Sequence, residues 1–264
     1  TTSAPQNFYW IGGSGDWNDG TQWSYSSGGA AANCTPSLND DVFFDANSFN
    51  GAGQVVTLTS GDKYCHNMSW TGITNNPTLN VGAAKMHVYG SLTLNANMTL
   101  TNTLSVDAGF YFDASTAGQT IQTFGKTLYY DVYFRGTGTA SWTLQDEFRV
   151  FDRINVQGGT LNTNNQNITM MSSQGEIRFS TGFPSSFNGA PVVANLGSST
   201  LTASYIGAAL PVFNVTINAG TSTLAVTTFT GGDHNYYNVV FSGSGTTGFT
   251  FELSDQTGTY NNID

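Results

Sequence analysis

The chain has 264 residues, 9% of them charged and 13% aromatic, and seven Lys and Arg stand against seventeen Asp and Glu for a net charge of −10. Such an acidic chain with no basic run repels a phosphate backbone, so no nucleic-acid partner is expected. No stretch approaches the roughly 18 continuous apolar residues of a membrane span, so no membrane insertion is expected.

Low charge can signal disorder, but this many Phe, Tyr and Trp set among Val, Ile and Leu can exclude water, and a folded chain is predicted. Thr1 stands where a Met would open a nascent chain, which points to removal of a signal peptide or to a longer polypeptide.

From the N-terminus, "FYWIGGSGDWNDGTQWSYSSGG" interleaves Trp10, Trp17 and Trp23 with Gly and Asp. Residues 1–58 are read as a Trp-rich cap with the first strands, because the first coil of a stacked β-structure exposes an edge that invites aggregation. Cys34 and Cys65 fit either one disulfide in an oxidising compartment or two buried thiols. Bonded, they would contribute roughly 3.5 kcal/mol on a chain-entropy basis. Asp40, Asp41 and Asp45, with Asn39 and Asn47, form the densest group of oxygen ligands and are the candidates for Ca2+, with no other cofactor expected. Their spacing matches no calcium-loop pattern, and the reading in which they make turns and cap hydrogen bonds is preferred.

From residue 59 onward, helical periodicity is nearly absent and alternation is everywhere, as in "MHVYGSLTLNANMTL" from 86 and "EIRFS" from 176. An aromatic, an Asn or Asp and an aliphatic residue recur around Asn67, Asp131, Asn214, Asn238 and Asn262, the last three spaced 24 apart. Side chains alternate faces along a strand, so His66, Trp70, Tyr130, Phe134, Phe213, Ile217, Tyr237 and Phe241 are predicted core positions. The Asn or Asp is placed at the corner, where an amide can bond its own turn and its vertical neighbours. Units of 20 to 24 residues hold two or three strands, which predicts a parallel β-solenoid over 59–264. Tandem β-sandwiches are the alternative, since they too have short strands and frequent turns.

"QDEFRVFDR" gathers Asp146, Glu147, Arg149, Asp152 and Arg153, a candidate glycan site in a charge-poor chain. Glu147 and Arg149 alternate with Phe148 and Val150, as outward ion pairs on stacked strands do, and that structural explanation is preferred. His87 and His234 lack a Cys or His partner at zinc spacing. The final "YNNID" opens a unit that the sequence does not finish, so the chain continues or an open C-terminal coil supports head-to-tail self-association by strand addition.

These segments, "YWIGGSGDW" and "QW" at 9–23, "DDVFFDANSF" at 40–49, "WTGITNNPTLN" at 70–80, "GTLNTNN" at 159–165, "NLGSSTLT" at 195–202 and "INAGTSTL" at 217–224, resemble repeat-rich secreted proteins. Those are the adhesins and autotransporter-like passengers of bacterial surfaces and some virion fibre proteins. The resemblance covers nearly the whole chain but rests on packing motifs. It implies a right-handed parallel β-helix at an extracellular, cell-surface or virion-surface location, and it transfers no catalytic residue.

The resulting expectation is a non-catalytic structural or adhesive module: a surface fibre, filament or adhesin, or a virion fibre or decoration protein. The alternative is a glycan-active or glycan-binding β-helix protein using the 146–153 group, or exposed rings such as Tyr133 and Tyr236.

Overall fold

The computed structural model describes residues 4–59, 61–101, 108–180, 191–208, 214–230, 234–241, 250–252 and 260–263. These residues are all-β apart from a 3-10 turn at Gly20–Gln22, and they wind into a β-solenoid of stacked parallel coils. The chain divides into two compact units, Thr1–Asp113 with Thr120–Tyr129, and Ala114–Gln119 with Tyr130–Asp264.

In the first unit, β1 (Asn7–Trp10) and β2 (Gly15–Asp16) open a coil, and β3 (Trp23–Ser24) folds back on β1. The next coils run through β4 (Asp41–Phe43), β5 (Val55–Thr57) and β6 (Gly61–Cys65), then β7 (Met68–Ser69), β8 (Thr78–Asn80) and β9 (Ala84–Val88). After these come β10 (Leu92–Thr93), β11 (Thr99–Thr101), β12 (Gly109–Phe112), β13 (Gln119–Gln122) and β14 (Thr127–Leu128).

Three vertical stacks result, and each carries an inward column of apolar side chains. Val42, Met68, Leu92 and Ile121 line one stack, Val56, Leu79 and Leu100 a second, and Cys65, Val88 and Phe112 a third. All are buried, and each large side chain so placed stabilises the fold by roughly 2 kcal/mol. One charge interrupts the third stack: Lys63 lies opposite Met86 and is only 3% exposed.

The tryptophans fill the start of this unit. Trp23 meets Trp10 edge-on at 5.0 Å and Trp17 at 4.8 Å, while Phe44 stacks on Trp70 at 3.8 Å. Two of the polar edges are satisfied internally, because Trp10 Nε1 donates to Gly13 O and Trp23 Nε1 to Trp17 O, whereas Trp70 Nε1 is buried with no hydrogen-bond partner. The β3 strand pairs antiparallel with the outer side of β1, Trp10 opposite Trp23.

The second unit contains β15 (Asp131–Arg135), β16 (Ser141–Leu144), β17 (Phe148–Val150), β18 (Arg153–Asn162), β19 (Ile168–Met170) and β20 (Glu176–Phe179). It continues through β21 (Val192–Asn195), β22 (Thr200–Ala208), β23 (Val215–Asn218), β24 (Thr223–Thr230), β25 (Tyr236–Phe241), β26 (Thr250–Glu252) and β27 (Tyr260–Ile263). Trp142, Leu161, Ala194 and Ile217 form one inward column, and Phe148, Ile168, Leu201, Leu224 and Val239 another.

Among the described strand pairs only β1 with β3 is antiparallel, which removes the tandem-sandwich alternative, since sandwiches are built from antiparallel sheets. The abundance of Asn has a backbone cause. Asn33, Asn75, Asn76, Asn164, Asn165 and Asn214 adopt φ between 48° and 66°, a left-handed conformation that Asn tolerates far better than β-branched residues. Corners therefore select it.

The recurring motif does not mark one face. In the second unit Asp131 opens a strand of the β15–β18–β20 stack, Asn214 precedes a strand of the β21–β23 stack, and Asn238 lies in β25 opposite Thr223. Asn67 sits between β6 and β7. Only Asn238 and Asn262 stand one above the other as the 24-residue interval predicts, with Asn262 Nδ2 donating to Asn238 Oδ1 at 2.9 Å. Trp70, Tyr130, Phe134 and Ile217 are buried as predicted, and Phe213 lies outside the described residues.

Three predicted core positions are corrected. The His66 side chain is 43% exposed, because the chain turns a corner directly after the buried Cys65. Tyr237 is exposed and Phe241 half-buried, because strict alternation breaks in β25: the inward residues are Tyr236 and Val239, three apart.

Candidate functional site

The outward face of the β15–β18–β20 stack carries the richest polar arrangement of the second unit. Register places Arg153 against Glu176 and Glu176 against Tyr205, while Asn155 stands against Arg178 and Arg178 against Gly207. Arg153 Nε donates to Glu176 Oε2 at 2.7 Å, and its Nη1 reaches Asp131 Oδ2 at 3.3 Å. Arg178 Nη2 donates to the same Glu176 oxygen at 2.8 Å, and its guanidinium lies 5.8 Å from the centre of the Tyr205 ring. The Tyr133 hydroxyl donates to Asp131 Oδ2 at 2.9 Å.

The two carboxylates are driven apart electrostatically. Burial raises the Asp131 pKa, and neither the Tyr133 hydroxyl nor the Arg153 charge brings it back, with Asp131 Oδ1 buried and accepting no hydrogen bond. Burial also acts to raise Glu176, but hydrogen bonds from Arg153 and Arg178 outweigh it and hold that carboxyl below its ordinary value. The pair can thus hold a proton on Asp131 under conditions where Glu176 is ionised.

The 146–153 group is not one site. Glu147 and Arg149 flank or belong to β17, where Thr169 Oγ1 donates to Glu147 at 2.7 Å and Arg149 Nη2 lies 3.3 Å from Met171 Sδ. Asp152 is exposed at the turn into β18, and Asp146 lies just before β17. Arg153 joins the Asp131–Glu176 arrangement by hydrogen bonds, and the Asp152 charge acts on both Asp131 and Arg153. A signal for that arrangement existed in the sequence: charges of alternating sign at 131, 153 and 176, separated by 22 and 23 residues. Of the rings considered for glycan contact, Tyr133 is engaged with Asp131, and Tyr236 is 5% exposed against Phe229 and offers no platform.

In the first unit the candidate calcium ligands are held by protein donors. Asp40 accepts from Gln6 N, Ser37 N and Ser37 Oγ. Asp41 Oδ1 is bonded to His66 Nδ1 and accepts from Asn67 N and Asn67 Nδ2. Asp45 accepts from Asn47 N. Among the described residues no group of three or more His, Cys, Asp or Glu could hold a metal ion.

The disulfide is corrected as well: both cysteines are free, Cys34 exposed and Cys65 buried in an inward column. Cys34 Sγ lies 3.0 Å from the Tyr25 hydroxyl, and burial pushes the Cys65 thiol pKa well up. His87 sits between the Tyr64 and Tyr111 rings at 5.1 and 4.8 Å, with Nδ1 2.7 Å from Asp113 Oδ2. Its partner stands 26 residues away on the next coil, which is why sequence proximity did not reveal it.

Comparison of the chain with protein-family models, curated proteins and solved structures finds no match in any of the three.

Proposed function

We propose that the chain is a non-catalytic structural or adhesive module displayed at an extracellular, cell or virion surface, as a fibre, filament or adhesin component. What supports this reading is the way polar side chains are used between coils. Asn218 donates to Asn195, and Asn195 donates to Asn162. Thr163 Oγ1 donates to Leu196 O, and Asn75 Nδ2 to Phe49 O. Such bonds add to the backbone ladder at each junction and resist shear of one coil over the next.

Incubation with neutral and acidic polysaccharides tests it. The expected result is no new reducing ends and no unsaturated uronates, together with antibody labelling of the protein at the outer surface of its source cell or particle. Cleavage that disappears in Asp131→Asn would replace this reading with the glycan-active one, which the opposite pKa directions of Asp131 and Glu176 favour.

A further inference from the structure

We propose that the depression lined by Pro5, Gln6, Asn7, Asn39, Asp41 and His66 is a binding site for a neutral saccharide residue. Its volume is about 360 Å³, within the range of small-molecule sites. The proposal rests on the adhesive reading above and supplies it with a gripping site.

Three chain segments meet here and are cross-bonded. Gln6 N donates to Asp40 Oδ1, Asp41 N to Gln6 O, and His66 N to Asp40 O. Asn7 stands opposite Asp41 in the β1–β4 ladder. The floor is therefore built from strands and buried-carboxylate bonds, which fix the backbone that carries the lining residues before a ligand arrives.

The lining chemistry selects the ligand class. Lys and Arg are absent from the six lining residues and one carboxylate is present, so an anionic ligand would be repelled. The Asn7 and Asn39 carboxamides each offer both donors and acceptors, while Gln6 Nε2 is held by Ala4 O and Pro5 O and leaves its amide oxygen as an acceptor. His66 Nδ1 lies 2.9 Å from Asp41 Oδ1 and 3.0 Å from Asn67 Nδ2, which itself donates to Asp41 Oδ1, so the imidazole is oriented by two neighbours. A wall that mixes donors and acceptors, with Pro5 as its apolar part, matches the hydroxyl edge and carbon face of a sugar ring. His66 and Asp41 thereby leave the roles of core ring and calcium ligand for that of an oriented pair.

The test titrates the intact protein with glucose, galactose, N-acetylglucosamine and glucuronate, following the resonances of Asn7, Asn39 and His66, beside adhesion of the protein to immobilised neutral glycans. Asn7→Ala and Asn39→Ala replace exposed side chains and serve as variants with His66→Ala. Support is saturable shifts with at least one neutral sugar, weakened about tenfold or more in Asn39→Ala. Adhesion that all three variants leave unchanged overturns the site but not the adhesive reading. Stronger binding of glucuronate overturns the neutral class. Neither adhesion nor sugar-induced shifts would remove both.

Discussion

Arg153 donates its Nε to Glu176 Oε2 across 2.7 Å, joining two strands 23 residues apart in sequence. Its Nη1 reaches Asp131 in the other direction, so one guanidinium fastens three successive coils. Arg153→Met removes both links and leaves the mostly buried Asp131 carboxyl without its cation. The expected loss is about 2 kcal/mol, read from the urea midpoint at neutral pH.

The same cluster gives stability two opposed dependences on pH. Asp131 has a folded pKa above its ordinary value of 3.8, so its contribution favours folding below that value and is lost as pH rises through the folded pKa. Glu176 has a folded pKa below its ordinary 4.5, so its contribution is present above that value and is lost as pH falls through the folded pKa. Relative to the parent, Asp131→Asn gains stability as pH is raised from about 3 to about 7, whereas Glu176→Gln loses it. Urea unfolding of both variants across that range measures the two slopes.

Asn195 is the middle rung of an amide ladder, accepting from Asn218 at 2.7 Å. Asn195→Ala breaks the bonds above and below at once. The half-buried setting holds the cost to about 1 kcal/mol, and Asn162→Ala with Asn195→Ala costs less than the sum of the singles because they share a bond. A double-mutant cycle on thermal unfolding checks the coupling.

Thiol chemistry separates the two cysteines. Cys34 is exposed and Cys65 has no exposed surface, so the folded protein takes up one equivalent of a thiol reagent and the unfolded protein two. Cys34→Ser removes the first equivalent, and two equivalents from the folded protein would contradict this arrangement.

Lys63 occupies an inward position opposite Met86, and burial lowers its pKa against the raising fields of Asp16 and Asp62. Lys63→Met replaces the ammonium with a thioether of similar length, and a gain of about 1 kcal/mol is expected. Differential scanning calorimetry at neutral pH measures it.

Alternation was legible in the sequence because each stack buries one face, so Glu176–Phe179 announces itself as a strand. Phase was not. The aromatic–Asn pair falls at different points of the coil, before β23 at Asn214 and inside β25 at Asn238, so the two share a motif without sharing a stack. His66 failed for the same reason, its parity lost at the turn after Cys65. Charge partners were hidden by coil length: Arg153 and Glu176 both stood out, yet nothing local said which coil would bring them together.

Asn195 lies over Asn162 after 33 residues of chain, and Asn218 over Asn195 after 23. The vertical neighbour, not the count along the chain, sets each residue's address. The interval between vertical neighbours can therefore differ by ten residues while both amide rungs keep their partners. The fold is a chassis for grafting: foreign peptides could ride at the corners, and their number would be limited by the coils available rather than by any single position.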